Sequence, residues 1–160
     1  WSLAQLFFVH ATLLDAIAAA ARARMPDFNT QNLSNTAWSY AVLGLTHRPL
    51  LQAISAASLA RIREFGPQEL TNTAWACAAL GVFDGPLLDA ISSAAINKIT
   101  SGEASTLDIG NTAWAVASLC FSHAPLLNAL SAAARRMRAQ FAPQDVANTA
   151  WSFSTRGIPD

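Results

Sequence analysis

Residues 72–75 are Asn-Thr-Ala-Trp, and the same tetrapeptide occurs at 35–38, 111–114 and 148–151. A further tryptophan, Trp1, precedes these copies, and successive tryptophans are 37, 37, 39 and 37 residues apart. Recurrence at a nearly constant interval of this length is typical of a chain built from stacked copies of one helical or mixed unit. The sequence therefore predicts a repeat protein in which each unit contains one Asn-Thr-Ala-Trp segment.

Each unit also contains the start of a second helix. Twelve residues after each of the first four tryptophans the chain has a Leu-Leu pair. A proline precedes three of these pairs, at Pro49, Pro86 and Pro125. Proline is favoured at the first position of a helix, where the N–H that it lacks is not needed. The helix with the tetrapeptide has the same signal at Pro67 and Pro143, so each unit is predicted to contain two helices joined by short turns.

We call the helix with the tetrapeptide helix A and the one that follows it helix B. Helix A is predicted at about 30–44, 67–81, 106–120 and 143–156. Helix B is predicted at about 12–25, 49–64, 86–100 and 125–140. Because neither helix can bury its apolar face alone, neighbouring units must stack. The prediction is an all-α, right-handed α-solenoid of helix-turn-helix repeats of about 37 residues. Residues 1–160 are expected to form a single repeat domain, a fragment of a longer solenoid, with about four repeats and part of an earlier helix A at 1–8.

The composition excludes several classes of protein. Of the 160 residues, 52% are hydrophobic and 12% are charged, which is typical of a folded domain and not of a disordered tail. Ten basic and ten acidic residues balance, so no strong field would hold a polyanion without further contacts. The longest apolar stretch, at about 6–21, is interrupted by His10 and Asp15 and is too short for a membrane span. We therefore expect no membrane partner.

The sequence has no arrangement that is typical of an enzyme. It shows no grouping of nucleophile, base and orienting residue and no glycine-rich phosphate loop, so we expect no catalytic residue, cofactor or small-molecule substrate. His10, His47 and His123 each follow a tryptophan by nine residues, and Asp84 takes this place in the remaining unit. Equivalent residues of stacked helices, about 8 to 10 Å apart, cannot converge on one ion. We expect a turn or capping role for them and no metal site.

A row of asparagines follows from the repeat. At about 100° per residue, Gln68 and Asn72 lie on the side of helix A opposite Leu70 and Ala74. The equivalent asparagines are Asn35, Asn72, Asn111 and Asn148. Either each amide bonds to a neighbouring helix or loop, because polar groups in a packed layer are paired, or the amides face a groove and bind a ligand. Identical residues cannot distinguish successive ligand units, so in the second case the row would hold a backbone or a common edge.

Positions that differ between units are the candidates for selectivity. Six residues before each tryptophan the units have Asn32, Glu69, Asp108 and Asp145. Four residues after it they have Val42, Ala79, Ser118 and Thr155. Acids are also favoured in the first turn of a helix by its dipole, which is a purely structural alternative for the first set. The tryptophans fall at the border between the two faces of helix A, which favours packing between units over stacking on a nucleobase.

The unit Phe-x-Pro-Gln-x-Leu-x-Asn-Thr-Ala-Trp, complete at 65–75 and nearly so at 141–151, resembles the octotricopeptide and heptatricopeptide repeats of organelle RNA metabolism. Similar repeats accompany RAP domains and occur in mitochondrial RNA-editing complexes. The third unit departs from the pattern, with Ala104, Thr106 and Leu107 in place of Phe, Pro and Gln. The resemblance implies a solenoid that binds single-stranded RNA, about one nucleotide per repeat, through the inner face of helix A. It also implies a location in the mitochondrion or chloroplast.

The first functional hypothesis is therefore a module that binds single-stranded organellar RNA for its processing, stability, editing or translation, with protein partners in an RNA-processing complex. Bases would contact polar residues of helix A, and cations at the end of helix B would contact phosphates. The candidate RNA-binding residues are Gln31, Asn32, Asn35, Gln68, Glu69, Asn72, Asp108, Asn111, Gln144, Asp145, Asn148, Arg61 and Lys98. The alternative is a protein-protein interaction scaffold of the armadillo or TPR type, which the neutral charge favours. A third hypothesis is a spacer between functional domains.

Overall fold

The computed structural model describes residues 11–154, which form eight α-helices and two short 3-10 turns. The A helices are α2 (Thr30–Val42), α4 (Pro67–Ala79), α6 (Thr106–Ser118) and α8 (Pro143–Ser154). The B helices are α1 (Ala11–Ala23), α3 (Arg48–Arg61), α5 (Gly85–Ser101) and α7 (Ala124–Arg136). The 3-10 turns, Met25–Asp27 and Ile62–Glu64, follow α1 and α3. No strand occurs within 11–154, which confirms the all-α class for these residues.

The predicted starts of all four A helices are confirmed, whereas the first three end two residues earlier than predicted. The B helices α3, α5 and α7 each begin one residue before their predicted starts, and the predicted ends of the four B helices differ from the observed ones by one to four residues. The prediction of an earlier helix A at 1–8 lies outside the described residues, as do Trp1, His10 and Thr155.

A side chain determines where three of the B helices begin. Their N-cap residues accept a hydrogen bond from the backbone N–H three positions later. The bonds are to His47 Nδ1 from Leu50 (3.1 Å), to Asp84 Oδ1 from Leu87 (3.1 Å) and to His123 Nδ1 from Leu126 (3.2 Å). The capping role predicted for these three residues is confirmed. The placement of the prolines at the first helical position was wrong, because each of them occupies the second, where the backbone N–H also lacks an intrahelical partner.

The helices form two adjacent layers. Each A helix packs against the next A helix, and each B helix packs against the next B helix. In the three units whose two helices are both described, the B helix also contacts the A helix before it. The core lies between the layers and consists of side chains from both of them that are at most 1% exposed, including Leu33, Leu50, Leu70, Leu88, Ile109 and Leu126. No helix within the described residues is both long and apolar enough to cross a bilayer.

Small residues line the contacts between successive A helices. Ala76 and Ala115, each directly after a tryptophan, are 1% and 0% exposed. The hydroxyls of Thr71 and Thr112 are 3.1 Å apart and join α4 to α6. A Cβ atom at Gly110 would lie 3.4 Å from the backbone oxygen of Asp145, so α8 approaches α6 closely at a position without a side chain. These residues allow the A helices to form the more closely packed layer.

Each turn from helix A to helix B has the same backbone geometry. Six residues after the tryptophan, Gly44, Gly81 and Cys120 have positive φ angles of 67°, 63° and 51°. The next residue donates its N–H to the carbonyl five residues back, as in Val82 to Cys77, which closes a Schellman motif at the helix end. Glycine adopts this left-handed conformation without steric cost, whereas Cys120, which is exposed, adopts it with a Cβ atom.

We predict that Cys120→Gly raises the free energy of unfolding by about 1 kcal/mol, because it removes the cost of a side chain in the left-handed region. Urea denaturation of the two proteins measures the change. Cys120→Ala is the matched control, since it removes the thiol and keeps the Cβ atom. An equal gain in both variants would show that the thiol, and not the backbone conformation, is responsible.

Candidate nucleic-acid interface

One sector of the surface of the A helices has no charged residue. Positions seven and three residues before the tryptophan, the tryptophan itself and the position four residues after it fall within about 60° on the helical wheel. In the described units these positions contain glutamine or leucine, asparagine, tryptophan, and a small or branched residue. We call this surface the tryptophan–amide strip. Its members are Gln31, Asn35, Trp38, Val42, Gln68, Asn72, Trp75, Ala79, Leu107, Asn111, Trp114, Ser118, Gln144, Asn148 and Trp151.

Three tryptophans of the strip contact one another across the units. The ring centroids of Trp38 and Trp75 are 6.3 Å apart with an interplanar angle of 36°, and those of Trp75 and Trp114 are 6.1 Å apart at 30°. All three rings are half-buried, whereas Trp151 is 46% exposed. The sequence prediction that the tryptophans pack between units is confirmed for Trp38, Trp75 and Trp114.

The asparagine row lies beside the tryptophans, and all four side chains are half-buried. The Asn148 amide donates to Asn111 Oδ1 at 3.4 Å, and Gln144 Nε2 donates to Asn148 Oδ1 at 2.9 Å. In this part of the strip the amides therefore bond to each other, as the structural alternative predicts. Asn35 and Asn72 make no side-chain hydrogen bond to other described residues, so their amides are available to a ligand.

Three of the four residues predicted to select bases from six positions before the tryptophan take part in helix capping. Asn29 and Asn32 form a reciprocal capping box, and so do Ser105 and Asp108, whose Oδ2 accepts from the Ser105 N–H at 3.0 Å. Asp145 Oδ2 accepts from the Ala142 N–H at 3.2 Å. The first-turn role therefore accounts for the residue types at these positions.

Two further observations concern the position six residues before the tryptophan, namely the burial of Asp145 and the surroundings of Glu69. Asp145 is 5% exposed, which argues against it as a base-reading residue. The fourth residue, Glu69, has its carboxylate above Gly66, where an added Cβ atom would lie 2.6 Å from Glu69 Oε2. A glycine at this N-cap thus leaves space for the acid. Selection of bases by Asn32, Glu69 and Asp108 stays a prediction.

The predicted phosphate-binding cations pair with acids of the same chain. Arg61 lies 2.6 Å from Glu64 and also donates to the backbone oxygen of Phe28, while Lys98 lies 2.8 Å from Glu103. Hydrogen bonds from Arg61 and Lys98 lower the pKa of the Glu64 and Glu103 carboxyls. These cations are therefore partly neutralised where they lie, and the edge at which the B helices end is mixed in charge.

Other chemistry is sparse in the part of the chain that the structure describes. Between residues 11 and 154 no three histidine, cysteine or acidic side chains come together in a way that could hold a metal ion. Burial, with a smaller contribution from Asp84, raises the pKa of the Cys77 thiol to about 12, so this thiol stays protonated at neutral pH. On the tryptophan–amide strip, the polar groups that can contact a ligand are therefore neutral amides and indoles.

Sequence reasoning left the tryptophans and Leu107 out of the candidate RNA-binding residues. It favoured packing between units over stacking on a nucleobase for the tryptophans, and three of them are half-buried and share a surface with the amides. It treated Leu107 as a departure from the repeat pattern, and this residue is 55% exposed where three other units have glutamine. The helical wheel already indicates that the tryptophans belong to the strip, because it places the tryptophan within one 60° sector with the glutamine and asparagine positions.

The geometry defines an all-helical protein whose paired helices recur in two layers and whose A helices share an uncharged aromatic and amide surface. The chain belongs to the family described as RNA-editing substrate-binding complex 6 protein, whose family model matches residues 2–157. A search of curated proteins gave no match.

We predict that Trp75→Ala lowers the free energy of unfolding by about 3 kcal/mol, because it removes a half-buried ring and its contacts with Trp38 and Trp114. Trp151→Ala, at an equivalent but 46% exposed position, should cost less than about 1 kcal/mol. Chemical denaturation followed by circular dichroism compares the two variants. Similar losses would mean that contact between tryptophans does not stabilise the layer.

We also predict that Asp108→Ala costs about 1 kcal/mol of stability, because it opens the box with Ser105. The control is Gln68→Ala, an exposed first-turn change that should stay within about 0.5 kcal/mol. Thermal unfolding of both variants tests the assignment. A neutral Asp108→Ala would show that the box contributes nothing to the helix start.

Proposed function

We propose that this chain binds single-stranded RNA as a component of an RNA-editing substrate-binding complex. The observation that carries the proposal is family membership over residues 2–157, since the family's description names such a complex. The uncharged strip supports it as well, because aromatic rings and amides are the groups with which helical repeats contact unpaired nucleotides.

The architecture in this proposal is a right-handed α-solenoid of units of about 37 residues. The alternation of A and B helices, the recurrent turns at Gly44 and Gly81 and the contacts between equivalent helices support it. Exposure of Val146 (52%) contrasts with the burial of Leu33, Leu70 and Ile109, the equivalent residues of the three units whose B helix is described. The helices would then belong to repeats similar to the octotricopeptide or heptatricopeptide type.

In the bound state, the strip contacts the RNA. The edge with Arg61 and Lys98 contributes less to the affinity for RNA than a continuous basic stripe would. Gln31, Asn35, Gln68 and Asn72 are the first contacts to test, because their amides are not used within the described protein. Asn111, Gln144 and Asn148 already bond to one another and would have to exchange those bonds for contacts with RNA.

The proposal includes a mitochondrial location, with which membership of an RNA-editing complex family is consistent. The family gives no support to a chloroplast location. Protein partners within the complex are part of the proposal, and neither catalysis nor a cofactor is.

A protein-interaction scaffold is the second candidate function, and two observations favour it. The chain has no net charge, and Phe83 is 61% exposed in a turn from helix A to helix B, with the Phe121 ring 6.1 Å away. Exposed aromatic side chains of this kind are common in protein interfaces.

Fluorescence anisotropy of a labelled 15-nucleotide oligo(U) at two salt concentrations tests RNA binding. We expect Asn72→Ala and Gln68→Ala each to weaken binding by roughly three- to ten-fold, in keeping with the loss of one hydrogen bond. Arg61→Ala should have a smaller effect, because its charge is already paired with Glu64. Absence of binding by the wild-type chain at low salt would reject the RNA proposal in favour of the scaffold.

A further inference from the structure

We propose that the tryptophans of the strip bind the sugar–phosphate backbone of the RNA through their indole N–H groups, an inference that rests on the proposed function. Each unit then binds one sugar–phosphate group of the RNA through a neutral donor, and other positions recognise the bases. This assigns the tryptophans a ligand-binding role in addition to their packing role.

The donors are free within the described protein. The indole N–H groups of Trp75 and Trp114 make no hydrogen bond to any residue of 11–154, and neither nitrogen is among the buried polar atoms that lack a partner. The rings are therefore fixed by contact with their neighbours while the N–H groups remain accessible. A donor whose ring is held between two others loses little conformational freedom on binding.

The neighbouring groups of the strip suit an acceptor-rich ligand. Asn72 has a free amide on the same face of α4 as Trp75, so each such unit offers both an indole and an amide donor. No carboxylate belongs to the strip itself, and the first-turn acids Glu69 and Asp108 lie outside its 60° sector. The oxygens of a phosphodiester chain are acceptors, and hydrogen bonds to charged acceptors are stronger than bonds between neutral groups.

Repetition determines which part of the RNA is contacted. Trp38, Trp75 and Trp114 are the same residue in successive units and are linked at nearly equal spacings of 6.3 and 6.1 Å. Identical donors at regular intervals match the part of the ligand that is identical in every nucleotide. That part is the sugar–phosphate backbone and not the base edges, which differ from one nucleotide to the next.

The contact also predicts an unusual salt dependence. Binding through lysine and arginine releases counterions, and the affinity then falls steeply with salt. Neutral donors release few counterions, so the slope of log K against log salt should be shallower than about −2. The pairing of Arg61 and Lys98 with acids acts in the same direction.

The test uses the double variant Trp75→Phe, Trp114→Phe, which removes both N–H groups and keeps an aromatic ring at each position. Anisotropy is measured with 15-nucleotide oligo(U), oligo(A) and oligo(C), after thermal unfolding has shown that the variant folds. We expect the affinity for all three oligonucleotides to fall by a similar factor, roughly three- to thirty-fold. In ¹⁵N-labelled wild-type protein, the indole N–H resonances of Trp75 and Trp114, identified from their loss in the single Phe variants, should shift when oligo(U) is added.

Two outcomes would overturn the inference and leave the proposed function intact. In the first, the double variant binds like the wild type while Asn72→Ala binds more weakly, so RNA is bound without the indoles. In the second, the loss of affinity is confined to one oligonucleotide, which would mean that the indoles contact a base. If the wild-type chain binds none of the three, the proposed function itself fails and the inference fails with it. Should the double variant not fold, unshifted indole resonances in the wild type on saturation with oligo(U) would overturn the inference.

Discussion

Contact between equivalent positions of successive A helices is the interaction on which the rest of the structure depends. Ala76 and Ala115 are almost completely buried in this contact, and the absence of a side chain at Gly110 allows α8 to approach α6. Because the backbones are close, rings as large as Trp75 and Trp114 can reach each other at the outer border of the layer. A larger residue after the tryptophan would separate the helices and would break the row of tryptophans together with the alignment of the amides.

The elements of the fold were largely predictable because the repeat provides several copies of each signal. Four copies of the tetrapeptide, with prolines such as Pro67 and Pro143, fixed the starts of the A helices. The starts of α3, α5 and α7 were misplaced by one residue because the prolines were put at the first helical position, although a capping role was expected for the residue two positions before each proline. Hydrogen bonds from the backbone N–H groups of Leu50 and Leu126 to the side chains of His47 and His123 decide that register, and no periodicity of apolar residues contains that information.

The candidate site was predictable in position and less so in role. A wheel places residues on faces, so it grouped the asparagines into one row; it put that row opposite the core, whereas all four side chains are half-buried. It does not show whether a polar atom is already bonded, and that is what separates Asn72, whose amide is free, from Asn148, whose amide is engaged by two neighbours. The same limit applies to Asp108 and Arg61. Each bonds to a residue three positions away, Ser105 and Glu64 respectively, and the sequence spacing permits these bonds but does not require them.

The neutral charge of the chain is compatible with its family membership if the long-range attraction of RNA and the short-range contact with it depend on different surfaces. A basic stripe speeds encounter with RNA and provides most of the nonspecific affinity, whereas the ten basic residues of this chain are balanced by ten acidic ones, and Arg61 and Lys98 are paired with acids. A strip of neutral donors provides short-range hydrogen bonds and little long-range attraction. Such a surface would retain RNA that other components of a complex deliver better than it would capture RNA from solution. The membership of this chain in a family named for a multi-protein complex is consistent with that division.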